Sequence, residues 1–185
     1  MAEEREYQLR QGRFKDLVLY IATALADDPT FGSTKLNKIL YFADTEAYRR
    51  LGEPLTGAEY QKNYYGPTAR EYPPLVGELE RQGYVTVEER LVVDHVQEVV
   101  MPTASVQPNI GQFSEAEREI IDRVIEEFRR YNNTEASDES HKRSAGWHAM
   151  NMFETIPYAT SNITVEEVDP EIIDYFNELE RREAS

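Results

Sequence analysis

Residues 34–66 read TKLNKILYFADTEAYRRLGEPLTGAEYQKNYYG, and Pro67 follows. Leu36, Ile39, Leu40, Ala43, Ala47 and Leu51 recur at the i, i+3, i+4, i+7 spacing of one helical face. Ser33 or Thr34 is placed to cap the first turn, and Arg49 and Arg50 suit the negative end of the helix dipole. Gly52 supplies a left-handed stop, and Pro54 blocks resumption. A second face carries Lys38, Tyr41, Phe42 and Tyr48, so this helix is expected to pack on both sides, at the centre of the core. From Gly52 to Pro67 the chain is punctuated by glycine and proline, carries Tyr60, Tyr64 and Tyr65, and reads as extended or looped.

On the N-terminal side, residues 1–12 read as a flexible lead-in. Phe14, Leu17, Val18, Ile21 and Leu25 then form a helical stripe that ends near Asp27-Asp28-Pro29. On the C-terminal side, 68–72 reads as a turn, and Pro73-Pro74 delays the next helix to about Pro74–Gln82. The valine-rich stretch Tyr84–Met101 predicts a two-stranded hairpin that turns at Glu88-Glu89-Arg90. Ser114 and Glu117 form a capping box ahead of Ile120, Ile121, Val124, Ile125 and Phe128. A further helix is expected over Ser137–Met150, and Asp169-Pro170 opens an acidic C-terminal helix within 161–185. The expected fold is mainly α with a small β-hairpin (α+β). It is one helical domain over 13–160 in which helix and hairpin succeed one another in winged-helix-like order.

A chain of 185 residues can bury one sizeable core, and 40% hydrophobic with 30% charged residues describes a folded chain. There is no cysteine, so neither a disulfide nor a thiolate metal site can form. The start, MAEEREYQLRQGR, is acidic and polar and predicts no signal peptide. No apolar run approaches the roughly 20 residues that span a bilayer, so a cytoplasmic location is expected. The net charge of −15 opposes attraction to nucleic acid or an anionic membrane, and neither is an expected partner. The excess is uneven: residues 33–84 hold seven acids and seven bases, and 144–185 hold nine acids and two bases. Such a chain is matched by charge to a basic partner.

Catalytic patterns fail one by one. His141 and His148 lie seven residues apart without an H-E-x-x-H spacing or a fixed third ligand. Ser140 and His141 are helix neighbours that point apart, and no G-x-S-x-G elbow supports a nucleophile. Glycine-rich phosphate loops are absent as well. Lys35, Lys38, Arg49 and Arg50 form the densest basic cluster and read as a solvated helix edge. The twelve tyrosines are the better lead, since tyrosine joins apolar area to a hydrogen-bonding tip.

Three motifs in order carry a resemblance. They are Lys35-Leu36-Asn37-Lys38-Ile39-Leu40-Tyr41-Phe42-Ala43-Asp44, then Gly52-Glu53-Pro54-Leu55, then Tyr65-Gly66-Pro67. Ser140-His141 with Trp147 adds a fourth piece. Together they resemble the Panacea, or SocA-like, antitoxin domain over about residues 13–160. Pro73-Pro74 and the acidic tail depart from its pattern. The resemblance implies a helical, non-catalytic antitoxin without cofactor or metal that binds a cognate protein toxin. It also implies an alternative, an adaptor that delivers a toxin to a ClpXP-type protease, and the helix–hairpin order leaves a further one, a winged-helix-like prophage or transcription regulator. Lys38, Tyr41, Tyr64 and Tyr65 are the expected partner contacts.

Overall fold

The computed structural model describes residues 7–92, 95–104 and 106–165. The molecule is built round helix α2 (Ser33–Leu51), which follows helix α1 (Gln11–Ala24). Phe14, Leu17, Val18 and Ile21 face inward from α1, as the stripe predicts. On α2 every residue from Lys35 to Thr45 is buried. Gly52 ends the helix at φ 84°, its N–H donating to Tyr48 O, and Leu51, placed in the apolar stripe, lies 44% exposed in the last turn. Neither Ser33 nor Thr34 caps the start; Asn133 Oδ1 accepts from Lys35 N at 2.9 Å instead.

The solvated-edge expectation for Lys35 and Lys38 is corrected here, because both are buried and only Arg49 and Arg50 reach solvent. Lys35 Nζ meets Asp28 Oδ2 at 2.6 Å and also donates to Thr30 Oγ1 and the Arg129 carbonyl. Burial pushes the Asp28 carboxyl up, but hydrogen bonds from Lys35 and Thr30 outweigh it and hold the group below its ordinary value.

Beyond α2, strand β1 (Tyr60–Gln61) pairs antiparallel with β2 (Thr68–Ala69). Helix α3 (Tyr72–Arg81) starts earlier than expected. Pro73 and Pro74 sit in its first turn, where N–H groups have no intrahelical acceptor to lose. Strands β3 (Val85–Val92) and β4 (His95–Pro102) form the hairpin, paired from Val85↔Pro102 to Val92↔His95. The turn expected at Glu88-Glu89-Arg90 is therefore strand, with Arg90 opposite Gln97. Glu88, Glu89 and Arg90 alternate between the two faces of the hairpin and none is buried, so their polarity imitates a turn. Val99 and Val100 point to opposite faces yet are both buried, which accounts for the broken alternation.

Helix α4 (Glu115–Arg129) begins with the expected capping box at Ser114 and Glu117. The helix expected over Ser137–Met150 is instead two. Helix α5 (Asn133–Arg143) starts at an Asn132–Glu135 capping box, and α6 (Ala145–Ala149) follows a break at Ser144. The expected C-terminal helix lies outside the described residues. The fold is mainly α with two small antiparallel strand pairs.

Removing Asp28 strands a buried cation, whereas Lys35→Met removes the charge itself. Urea denaturation should show Asp28→Ala losing about 3–5 kcal/mol and Lys35→Met clearly less.

Candidate functional site

Four further polar residues of α2 hold segments distant in sequence, while Thr45 is met within the helix by the Tyr41 carbonyl. Asn37 Oδ1 accepts from Ala69 N at 3.2 Å, and Lys38 Nζ donates to the Pro67 carbonyl at 2.6 Å. Tyr41 and Ser144 share a hydroxyl hydrogen bond of 2.7 Å. Asp44 accepts from Thr56 N, the Thr56 hydroxyl and Tyr60 OH. Burial pushes the Asp44 carboxyl up, opposed by these donors. It also pushes Tyr41 up to about 12 and the Lys38 ammonium down to about 7.

Above Lys38 lies a tight turn. Gly66 N donates to Asn63 O at 2.9 Å, so Tyr64 and Tyr65 occupy the two central positions. They are 67% and 65% exposed. Gly66 has φ 93°, and a Cβ there would stand 2.1 Å from Ser140 Oγ and 2.9 Å from Lys38 Cε. Only glycine lets the turn approach α2 and α5 this closely. Trp147 Nε1 donates to Asn63 O at 2.9 Å, fastening the other end of the turn to α6.

Round this base the remaining motif residues converge. Ser140 is buried and donates to Ser137 O. The His141 ring stacks on Trp147 at 4.0 Å, and Lys62 Nζ sits 4.7 Å from the centre of the Trp147 ring. Burial, then the nearby Lys38, lowers the His141 pKa. His148 folds back to bond the His141 carbonyl, so the two imidazoles do not join as ligands. Among the described residues, no group of three or more acids and histidines could hold a metal.

Two residues missed by sequence reasoning complete the arrangement, Phe153 at the surface and Ser144 beneath it. Phe153, 53% exposed, meets Tyr64 edge-on at 6.1 Å. Ser144 caps α6 and holds Tyr41. An S-x-x-W cap was open to view for Ser144; no local pattern marks Phe153.

A family model described as "Antitoxin SocA-like, Panacea domain" matches residues 36–148, more than half of the chain. The chain belongs to this family. Neither the curated proteins nor the solved structures give a match. Within this Panacea domain Lys38, Tyr41, Gly66, Pro67, Ser140, His141 and Trp147 come together beneath or beside the Tyr64–Tyr65 turn. Lys35, Leu36, Asn37, Phe42, Asp44 and Pro54 are buried elsewhere along or near α2, and Gly52 ends it. Lys38 and Tyr41 lie inside, at 1% and 3% exposure, and Tyr64 and Tyr65 outside.

The Lys38 shift sets a pH dependence. Its folded value of about 7 lies below the ordinary lysine value of about 10.4, so between the two the unfolded chain binds more protons. This contribution therefore stabilises with rising pH across that window, and its penalty is complete below about 7. Lys38→Met should lack that gain when urea stability is compared with wild type at about pH 7 and about pH 9.

Proposed function

We propose that this chain is a non-catalytic, cytoplasmic antitoxin that neutralises a co-encoded protein toxin by direct binding. Family membership supports the class of function. The observation that carries the binding mode is the Asn63–Gly66 turn, which holds two adjacent tyrosines in solvent on a base of buried motif residues. A rigid aromatic pair loses little conformational freedom on docking, which is what an interface anchor requires. Tyr64 and Tyr65 are the contacts in this reading. Lys38 and Tyr41 act from below, one fixing Pro67 and the other Ser144. The charge of −15 favours encounter with a basic toxin. No helix among the described residues is long and apolar enough to cross a membrane.

Co-expression with the product of the adjacent gene tests the reading. Growth should be arrested by the neighbour alone and restored by this chain, with toxin half-life unchanged. A harmless neighbour, or arrest that persists, would refute it. A toxin half-life that shortens only with a ClpXP-type protease present would turn the reading to an adaptor. Tyr64→Ala with Tyr65→Ala should weaken the purified complex by at least about tenfold, as expected for interface anchors, without lowering the thermal midpoint.

A further inference from the structure

Phe153 stands out among the described residues because it is the one non-glycine with positive φ, at 67°. An L side chain adopts that conformation at a cost, and glycine does not. The backbone there is tightly held. Phe153 N donates to Lys62 O at 2.9 Å, Lys62 N donates to Glu154 O at 2.9 Å, and Arg70 Nη2 donates to Phe153 O at 2.8 Å. Glu154 N in turn donates to Asn151 O at 3.0 Å. The loop geometry therefore suits glycine, yet it carries a large aromatic ring that is half exposed. Little core packing offsets the strain. Strain kept at an exposed position points to a use outside folding.

We infer that Phe153, Tyr64 and Tyr65 form a rigid aromatic patch that receives an arginine side chain of a basic partner protein. The inference rests on the antitoxin reading for the partner's identity, not for the chemistry of the patch. Ring faces attract cations through their quadrupole, most strongly where water is displaced. The edge-on contact of Tyr64 with Phe153, at an interplanar angle of 82°, sets one ring's edge against one face of the other, and both side chains stay more than half exposed. The fold already uses this chemistry elsewhere, with Arg143 4.3 Å from the Phe42 ring centre and Arg13 4.4 Å from that of Phe113. Among the described residues, no cation is so placed over Tyr64, Tyr65 or Phe153. The two basic residues bonded to the Phe153 backbone have engaged side chains: Arg70 pairs with Glu59 at 3.0 Å, and Lys62 lies against Trp147. Glu154, next to Phe153, is exposed, and its hydrogen bonds to the Asn151 side chain and backbone favour the ionised carboxylate. A guanidinium entering over the rings thus meets a fixed negative charge at their border, in a molecule of net charge −15.

Phe153→Gly separates strain from use, since it removes the ring and the unfavourable φ together. The probes are the purified product of the adjacent gene and a short arginine-containing peptide with its citrulline counterpart. The citrulline peptide keeps the shape and loses the charge. Fluorescence of Trp147, the chain's one tryptophan, reports from the base of the turn. The expected result is a thermal midpoint equal to or above wild type, with both the gene product and the arginine peptide bound at least about tenfold more weakly. The citrulline peptide should be similarly weak on wild type. A lowered midpoint shows the ring to be structural and overturns the inference. So does equal binding of the two peptides, or of the gene product by wild type and Phe153→Gly; in that last case the antitoxin reading stands. Discrimination between the peptides without any binding of the gene product leaves the patch standing and removes the antitoxin reading. Binding of neither probe overturns both.

Discussion

An α-helix enclosed on every side from Lys35 to Thr45 cannot keep a polar side chain unless something meets it. A buried polar group left without a partner costs about 1–3 kcal/mol, and a stranded charge costs more. The chain satisfies this constraint by making most of these polar residues anchors for other segments, with Thr45 turned back onto the helix's own Tyr41 carbonyl. Lys35 holds the loop before α2 and the end of α4, and Asn37 holds the backbone at Ala69. Lys38 fixes Pro67, Tyr41 fixes Ser144, and Asp44 gathers Thr56 and Tyr60. Apolar spacing makes this stretch a helix. Its polar residues decide what is wrapped round it, and where.

These two kinds of information are unequally legible in one sequence. Spacing alone is enough to recognise α1, α2 and α4, because an apolar stripe is a local property. What covers the opposite face is not local, so lysines on α2 resemble a solvated edge until Asp28 and Pro67 are seen beside them. Other misreadings came from local signals with two meanings. The helix expected from Ser137 starts earlier, at Asn133, because the N-x-x-E box at Asn132 and Glu135 caps its first turn. Pro73-Pro74 looks like a barrier and is a first turn. Glu88–Arg90 looks like a turn and is a stretch of strand in which neither face is buried.

The site was legible in part. The Tyr-Gly-Pro turn and the Ser140–His141 and Trp147 pieces could be picked out as residues, but not as neighbours. Their meeting depends on the break at Ser144, which swings α6 back so that Trp147 reaches both His141 and Asn63. A single helix through Met150 would have carried Trp147 on past that point. Gly146 fits the same geometry, since a Cβ there would stand 2.2 Å from Thr160 Oγ1.

This arrangement divides the work between two sets of residues. Most of those that place the chain in its family are buried, and their partners are other parts of the same chain. They explain how a turn can be held rigidly at the surface, and they carry no information about what that turn meets. Such information can lie only where side chains reach solvent, as Tyr64, Tyr65 and Phe153 do in and beside that turn. Phe153 also lies beyond the stretch matched by the family model, which ends at residue 148. The Phe153 ring takes no part in the polar anchors, so that side chain can change without disturbing the scaffold that holds the turn beside it.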